Sequence, residues 1–453
     1  MFRNERLHFG VKRCILRWPT RGVLGSYTNQ TFAQLTKVPL ATAGRSALRL
    51  TILITAVAII IRIAIMLLLF RITDGREFAD DFRYYRLFYE NPLMLLSGRG
   101  LVDAAEAVVY SPFVPVQVWL VGKPAATLFG EFLGQRLAMV LYETAGLSIT
   151  LWLMIRYAPP PWSRGTWSVI AALIFVPASV GGSAMWGQED SIASLWTALA
   201  LWALVTQRPV AAAALSAMGL YTHKIFALLT PAGIWIGAPK CRFKIMSFTL
   251  LITASFVALV FGRSVASGVT FNSYSYDAIH NSPSPWALLH HFHGGFTFAS
   301  VKVWILLVTV LALIAASVAL LARKRGPVES AVVLHTTFFV TFVGVQPEHQ
   351  LWFMPFLIYF TWQRWHDGHK AVIVPAWAFS LCAYGYKITY GLAGAASINS
   401  PGKESFRSAI NVHVGSLLPT LQLTFHILTL LMGIWLIACA FRKTTTSTPQ
   451  TNC

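Results

Sequence analysis

The chain has 453 residues, of which 56% are hydrophobic and 12% are charged, and its mean hydropathy is +0.59. A soluble globule of this length needs more polar surface than that, so the composition excludes an ordinary soluble enzyme and predicts a polytopic membrane protein. The net charge of +19 does not indicate nucleic acid as a partner, because the Lys and Arg residues form short clusters between apolar segments, as in cytoplasmic loops.

The first segment, residues 1–46, is basic. The first fifty residues contain nine Lys or Arg and a single acid, Glu5, and no apolar run long enough for a signal sequence. Because basic segments next to membrane spans are retained in the cytoplasm, the amino terminus is predicted to be cytoplasmic. An organellar transit peptide is the alternative, because such peptides are also rich in Arg and poor in acids.

The first membrane span is predicted at Thr51 to Phe70, an apolar run whose one charged residue is Arg62. At about 1.5 Å per residue, twenty residues cross a hydrocarbon core of roughly 30 Å. The polar segment 71–110, which holds seven acids, is therefore placed outside, with interfacial helices on the membrane surface.

The remaining apolar segments predict an all-α fold with about 11–13 membrane helices in one multi-spanning domain, residues 47–441, followed by a cytoplasmic tail, residues 442–453. The region 110–156 must cross an odd number of times, and 210–236 must double back as two short helices broken at 221–224. The later spans are predicted at 167–184, 190–206, 210–236, 246–262, 301–322, 329–345, 350–363, 371–391 and 414–441.

Placing the basic clusters in the cytoplasm leaves five segments outside: 71–110, 187–190, 263–300, 346–349 and 392–412. Ionisable residues in these segments and at the 221–224 break lie beside apolar helices. They are Asp80, Asp81, Glu189, Asp190, His223, Lys224, Glu348 and His349. Each ionisable group held in hydrocarbon costs about 2.5–3.5 kcal/mol, so such a cluster indicates a functional cavity.

Several short motifs spread over most of the chain resemble a known family. They are 81–85 (Asp-Phe-Arg-Tyr-Tyr), 110–115 (Tyr-Ser-Pro-Phe-Val-Pro), 186–191 (Trp-Gly-Gln-Glu-Asp-Ser), 224–231 (Lys followed by an apolar run to Pro) and 347–350 (Pro-Glu-His-Gln). On these motifs the sequence resembles the multi-spanning GT-C glycosyltransferases that use polyprenyl-phosphate sugars, in particular the mannosyltransferase-like branch. The first-loop motif departs from the family pattern, because its two acids are adjacent.

This resemblance implies transfer of a sugar, with mannose expected, from a polyprenyl- or dolichyl-phosphate donor to a lipid-linked or glycolipid acceptor on the non-cytoplasmic face. It implies a multi-pass protein of the plasma membrane in a prokaryote, or of the endoplasmic reticulum in a eukaryote. The partners are membrane lipids and these two substrates. No metal and no separate cofactor are expected, since the lipid phosphate is already a leaving group.

The chemistry needs one carboxylate that takes the acceptor's proton and cations that steady the departing phosphate. We assign Asp81 as the general base with Asp80 as second choice, and the adjacency of the two leaves this choice open. The donor phosphate and substrates are assigned to Lys224, His349, Glu348, Gln188, Asp190, Arg62, Tyr84 and Tyr85.

Structural interpretations stand beside these assignments. Arg62 could instead pair with an acid. Asp190 could have the purely structural role of stabilising the start of a helix through the helix dipole. The run His290, His291 and His293 lacks an adjacent Cys and is not assigned a metal. For the whole protein the alternative is a transporter or flippase of a lipid-linked or anionic solute, which predicts broken helices in matched halves. Only one broken segment, 210–236, is apparent.

Overall fold

The structure, a computed structural model, describes residues 40–72, 113–156, 164–185, 190–222, 225–267, 283–293, 298–343, 347–397 and 415–442. Within these ranges every regular element is a helix, as predicted. The α-helices are α1 (Leu40–Ile72), α2 (Phe113–Phe129), α3 (Glu131–Arg156), α4 (Arg164–Ile174), α5 (Pro177–Val180), α6 (Asp190–Val205), α7 (Pro209–Ala217), α8 (Leu229–Gly237), α9 (Arg242–Ser267), α10 (Pro285–His293), α11 (Phe298–Ala322), α12 (Pro327–Thr341), α13 (Met354–His366), α14 (Ile373–Ser397) and α15 (Leu418–Phe441).

Seven helical segments of the described part are long and apolar enough to cross a membrane. They are Leu48–Leu68, Leu133–Arg156, Thr166–Ala184, Pro239–Ala258, Ser300–Ala322, Lys370–Thr389 and Leu418–Phe441. The chain is therefore an integral membrane protein with several spans, which confirms the prediction from composition.

The spans differ in how much protein surrounds them. Leu48–Leu68, Pro239–Ala258 and Ser300–Ala322 bury less than a quarter of their residues, whereas Leu133–Arg156 and Thr166–Ala184 are 67% and 61% buried. The first group forms the lipid-facing periphery, because apolar side chains that contact few protein groups are stable when they contact lipid. The second group forms the interior, where polar side chains can be held by protein partners.

The region 110–156 contains two helices, α2 and α3, that pack against each other. They are joined at Gly130, whose φ of +82° lies in the left-handed region that glycine adopts without steric cost. Of the two, α3 alone meets the length and composition of a span. The odd number of crossings expected from the basic residues stays a prediction.

The segment 210–236 is broken where the sequence predicts it. Helix α7 continues as a 3₁₀ turn, Met218–Thr222, and a second 3₁₀ turn, Ile225–Leu228, leads into α8. The two short helices pack against each other. Residues 223 and 224 lie outside the described residues.

Helix α8 lies unusually close to α12. A Cβ atom added at Gly233 would lie 2.5 Å from the backbone nitrogen of Ala331. Glycine at this position lets the two helices approach backbone to backbone, which increases the van der Waals contact between them.

Gly233→Ala is therefore expected to lower the free energy of unfolding by about 1–3 kcal/mol, because the added methyl group must push the two backbones apart. Thermal unfolding in detergent measures this. The matched control is Ala232→Leu, since Ala232 is exposed on the same helix. Equal melting temperatures for Gly233→Ala and the native protein would contradict the close approach.

Candidate functional site

The structure describes four of the ten predicted site residues. Arg62, Asp190, Glu348 and His349 are all buried, with exposed fractions of 0, 0, 1 and 7%. The other six, Asp80, Asp81, Tyr84, Tyr85, Gln188 and Lys224, lie outside the described residues. Their assignments stay predictions.

A buried ion pair joins α1 to α3. The Nε of Arg62 lies 2.8 Å from Oε2 of Glu143, and both side chains are fully buried. Ser179, in α5, bridges the pair: its hydroxyl accepts a hydrogen bond from Nη2 of Arg62 and donates one to Oε1 of Glu143. The guanidinium also donates to the carbonyl oxygens of Ala58 at 3.2 Å and of Ile174 at 3.3 Å.

Arg62 thus pairs with an acid, which is the structural alternative considered from the sequence. Its nitrogen atoms are directed at protein groups on α1, α3 and the α4–α5 connection. A contact between Arg62 and a donor phosphate remains a prediction. Glu143 was missed in the sequence analysis, although an acid within the apolar run 131–155 is a signal for a buried partner.

Asp190 begins α6, where the helix dipole favours a negative charge. Its carboxylate Oδ1 accepts a hydrogen bond from the indole Nε1 of Trp352, at the end of the 3₁₀ helix Pro347–Trp352. The hydroxyl of Thr197, two turns along α6, donates to the carbonyl oxygen of Trp352 at 2.9 Å. Asp190 of the 186–191 motif is thereby held against the 3₁₀ helix that begins with the 347–350 motif.

Glu348 forms an ion pair with Lys387 of α14. The carboxylate is almost fully buried, whereas 17% of the Lys387 side chain is exposed, so the ammonium is the more accessible partner. Lys387 was not singled out from the sequence. A single Lys inside the apolar segment 371–391 is the signal that would have found it.

Tyr384 connects these pairs, since it lies one turn before Lys387 on α14. Its hydroxyl donates a hydrogen bond to the carbonyl oxygen of Ala178 at 3.4 Å, and the carboxylates of Glu348, Asp190 and Glu143 all act on it electrostatically. The three acids therefore belong to one buried polar cluster, which also contains Arg62 and Lys387.

The ring of Tyr384 packs on a π-helix, Gly181–Met185, that continues α5. Gly181 and Gly182 leave room for the ring, because a Cβ at Gly181 would overlap its edge and a Cβ at Gly182 would lie 3.3 Å from its hydroxyl oxygen. Such π-helical turns within α-helical segments are frequent at functional sites.

Helix geometry gives the depth of this cluster in the membrane. Arg62 is 13 residues after Arg49 and Glu143 is 13 residues before Arg156, while Lys387 is 14 residues after the start of α14. At 1.5 Å per residue, each lies about 20 Å from the basic end of its helix. In a hydrocarbon core of roughly 30 Å, the cluster is nearer the opposite membrane surface.

Several buried polar atoms beside the cluster have no hydrogen-bond partner among the residues that the structure describes. They are Oγ of Ser191, Oγ of Ser194, Oε2 of Glu348 and both amide atoms of Gln350. A buried polar atom left unpaired costs about 1–3 kcal/mol. Their concentration on the 186–191 and 347–350 motifs and the following turn of α6 is typical of a surface that receives a polar ligand.

The described residues contain no group of three or more His, Cys, Asp or Glu side chains that could hold a metal ion. The expectation that the reaction needs no metal stays a prediction. Comparison with protein-family models, with curated proteins and with solved structures found no match to this chain. Its function is therefore inferred from its own residues and their arrangement.

Proposed function

We propose that this protein is a GT-C-like glycosyltransferase with about 11–13 membrane helices that transfers mannose from a polyprenyl- or dolichyl-phosphate donor to a lipid-linked or glycolipid acceptor. The observation that carries the proposal is the contact of Asp190, in the 186–191 motif, with Trp352, at the end of the 3₁₀ helix that begins with the 347–350 motif. A buried polar cluster around that contact, near one membrane surface, supports a site for a lipid-borne substrate.

The proposed reaction is a single displacement with inversion at the anomeric carbon. The acceptor hydroxyl attacks that carbon while the general base, Asp81 or Asp80, takes its proton. The bond between the anomeric carbon and the phosphate oxygen breaks, and the polyprenyl phosphate leaves with the electron pair. Cations beside the phosphate stabilise the charge as it develops.

The polar cluster needs further positive charge to hold a phosphate. The cluster contains three carboxyl groups, of Glu143, Asp190 and Glu348, but only two cationic side chains, those of Arg62 and Lys387. A phosphate moved out of water must be compensated by cations, so Lys224 and His349 are proposed as additional contacts. Lys387 is added to them, because its side chain is the more accessible member of its pair.

Lys387→Gln is expected to raise the Kd of the lipid-phosphate donor about ten- to a hundredfold, since hydrogen bonds to charged groups are worth about 1.5–3 kcal/mol. Binding of the donor to purified protein measures this. The control is Glu348→Gln, which breaks the same ion pair while leaving the ammonium in place. A Lys387 that serves only to neutralise Glu348 would give equal losses of affinity in both variants.

Lys224→Ala and His349→Ala are expected to weaken donor binding for the same reason. Unchanged affinity in both variants would remove these two residues from the phosphate site, and Arg62, Arg263 and Arg407 would become the candidates. The measurement is the donor titration used for Lys387, so that the three cations are compared directly.

The decisive experiment incubates the purified protein with radiolabelled polyprenyl-phosphate mannose and membrane lipid acceptors. Transfer of the label to a lipid acceptor is expected. Polyprenyl-phosphate glucose in a parallel reaction tests the choice of sugar. Absence of transfer from both donors would reject the glycosyltransferase proposal.

A transporter or flippase is the second candidate, and the broken helices α7 and α8 favour it. Interrupted helices at membrane depth are used by transporters to bind solutes. Reconstituted vesicles separate the two activities, because a transporter would move a fluorescent lipid-linked substrate between leaflets without forming a glycosidic bond.

A further inference from the structure

A second charged site lies at the opposite end of the helices from the polar cluster. Arg364 lies near the end of α13, 10 residues or about 15 Å after its first residue, Met354, whereas Trp352 lies just before the helix. Its Nη2 donates to the carbonyl oxygen of Ala440 at 2.8 Å and its Nη1 to that of Arg442 at 3.0 Å. These carbonyls belong to the last turn of α15 and its cap.

Two more arginines converge on the same helix end. Nη2 of Arg325 donates to the carbonyl oxygen of Phe441, and the guanidinium of Arg323 lies over the Phe441 ring, 5.9 Å from its centre. With Arg364, and with Arg442, whose backbone caps the helix and whose charge acts on Cys439, four arginines lie at the carboxyl end of α15. We call these four residues the arginine cluster.

The acids around the arginine cluster do not balance its charge. Glu329 lies 3.7 Å from Arg364, and Asp367 also acts electrostatically on Arg364. The partial negative charge at the end of α15 adds about half a charge. Among the described residues, four cations therefore face two carboxylates and one helix end, and a net positive charge remains.

Two observations indicate that this excess charge is not relieved within the described protein. The Nε atoms of Arg325 and Arg364 are buried and have no hydrogen-bond partner among the described residues. Burial, together with the nearby positive charge of Arg364, lowers the pKa of Arg325, and Glu329 offsets this only in part. An anion bound here would remove the repulsion and supply acceptors.

The arginine cluster lies where lipid head groups lie. Helix α11 ends at Ala322, immediately before Arg323, and α15 ends at Phe441, and both contain membrane-length spans. The side chains of Ile314, Val318 and Leu321 on α11 are exposed and apolar, so acyl chains can pack on this helix close to the end where Arg323 lies. A soluble anion would make no use of that surface.

We propose that the arginine cluster binds the phosphate of an anionic phospholipid, whose acyl chain lies along the exposed flank of α11. Guanidinium groups present paired N–H donors that match phosphate oxygens, and basic residues next to membrane spans attract anionic lipids. The site is independent of the proposed glycosyl transfer, because it lies at the other end of the helices.

The test uses the full-length protein purified in detergent and titrated with phosphatidylglycerol or with phosphatidylcholine, with bound lipid counted by native mass spectrometry. Tighter binding of phosphatidylglycerol is expected, and Arg323→Gln should weaken it about fivefold. Arg323 is chosen because it is exposed and donates no hydrogen bond that caps α15.

The matched control is Lys244→Gln, which removes one exposed positive charge at the start of α9 and should leave phosphatidylglycerol binding unchanged. Equal loss in both variants would show attraction by net charge alone and overturn the proposal. Equal affinity for the two lipids would overturn it as well. A third arm adds inorganic phosphate to the lipid titration. Loss of bound phosphatidylglycerol in the presence of phosphate would assign the site to a free anion instead.

Discussion

Replacing Asp81 by Asn is expected to lower sugar transfer by about 10²- to 10⁴-fold, the usual contribution of a general base. Asparagine keeps the size and hydrogen bonding of the side chain but cannot accept the acceptor's proton. Donor binding should survive. Transfer of radiolabelled mannose and donor Kd, measured on the same preparation, separate loss of chemistry from loss of substrate.

Asp80→Asn must be measured in parallel, because the two acids are adjacent and the sequence leaves the choice between them open. The variant that loses turnover while it retains the donor identifies the base. A structural Asp would instead show a lower melting temperature together with the lower activity. Native transfer rates in both variants would remove the first loop from catalysis, and Glu189, Asp190 or Glu348 would become the candidates.

The second large effect is expected at the buried pair of Arg62 and Glu143. Arg62→Met should lower the free energy of unfolding by about 3–5 kcal/mol, because it leaves the Glu143 carboxylate buried without its cation. Denaturant unfolding in detergent measures this. Arg156→Gln, on the exposed end of α3, is the control and should change stability by no more than about 0.5 kcal/mol.

The double variant Arg62→Met with Glu143→Leu should recover much of the lost stability, since apolar side chains can replace a buried ion pair at little cost. The difference between the double variant and the sum of the single variants gives the coupling energy. Additive losses would contradict a direct pair. A double variant that is stable but no longer binds the donor would support the predicted contact of Arg62 with the phosphate.

The sequence was sufficient for those features that depend on local composition. An apolar run of about twenty residues has few alternatives to a membrane helix, because every backbone group must be paired inside the bilayer. The span at Thr51 to Phe70 was predicted for this reason. The break at 221–224 was predicted because the basic clusters on both sides of 210–236 were placed in the cytoplasm. Ionisable residues beside apolar runs also marked Asp190 and Glu348 as buried polar positions.

The partners of these residues could be seen only in the tertiary structure. Asp190 meets Trp352 across 162 residues of sequence, and Glu348 meets Lys387 across 39. The cost of burying a charge requires that a partner exists, but it does not say which helix supplies it. Helical periodicity predicts which face of its own helix a side chain occupies. The neighbour that it contacts depends on how all the helices pack, and a single sequence does not give that packing directly.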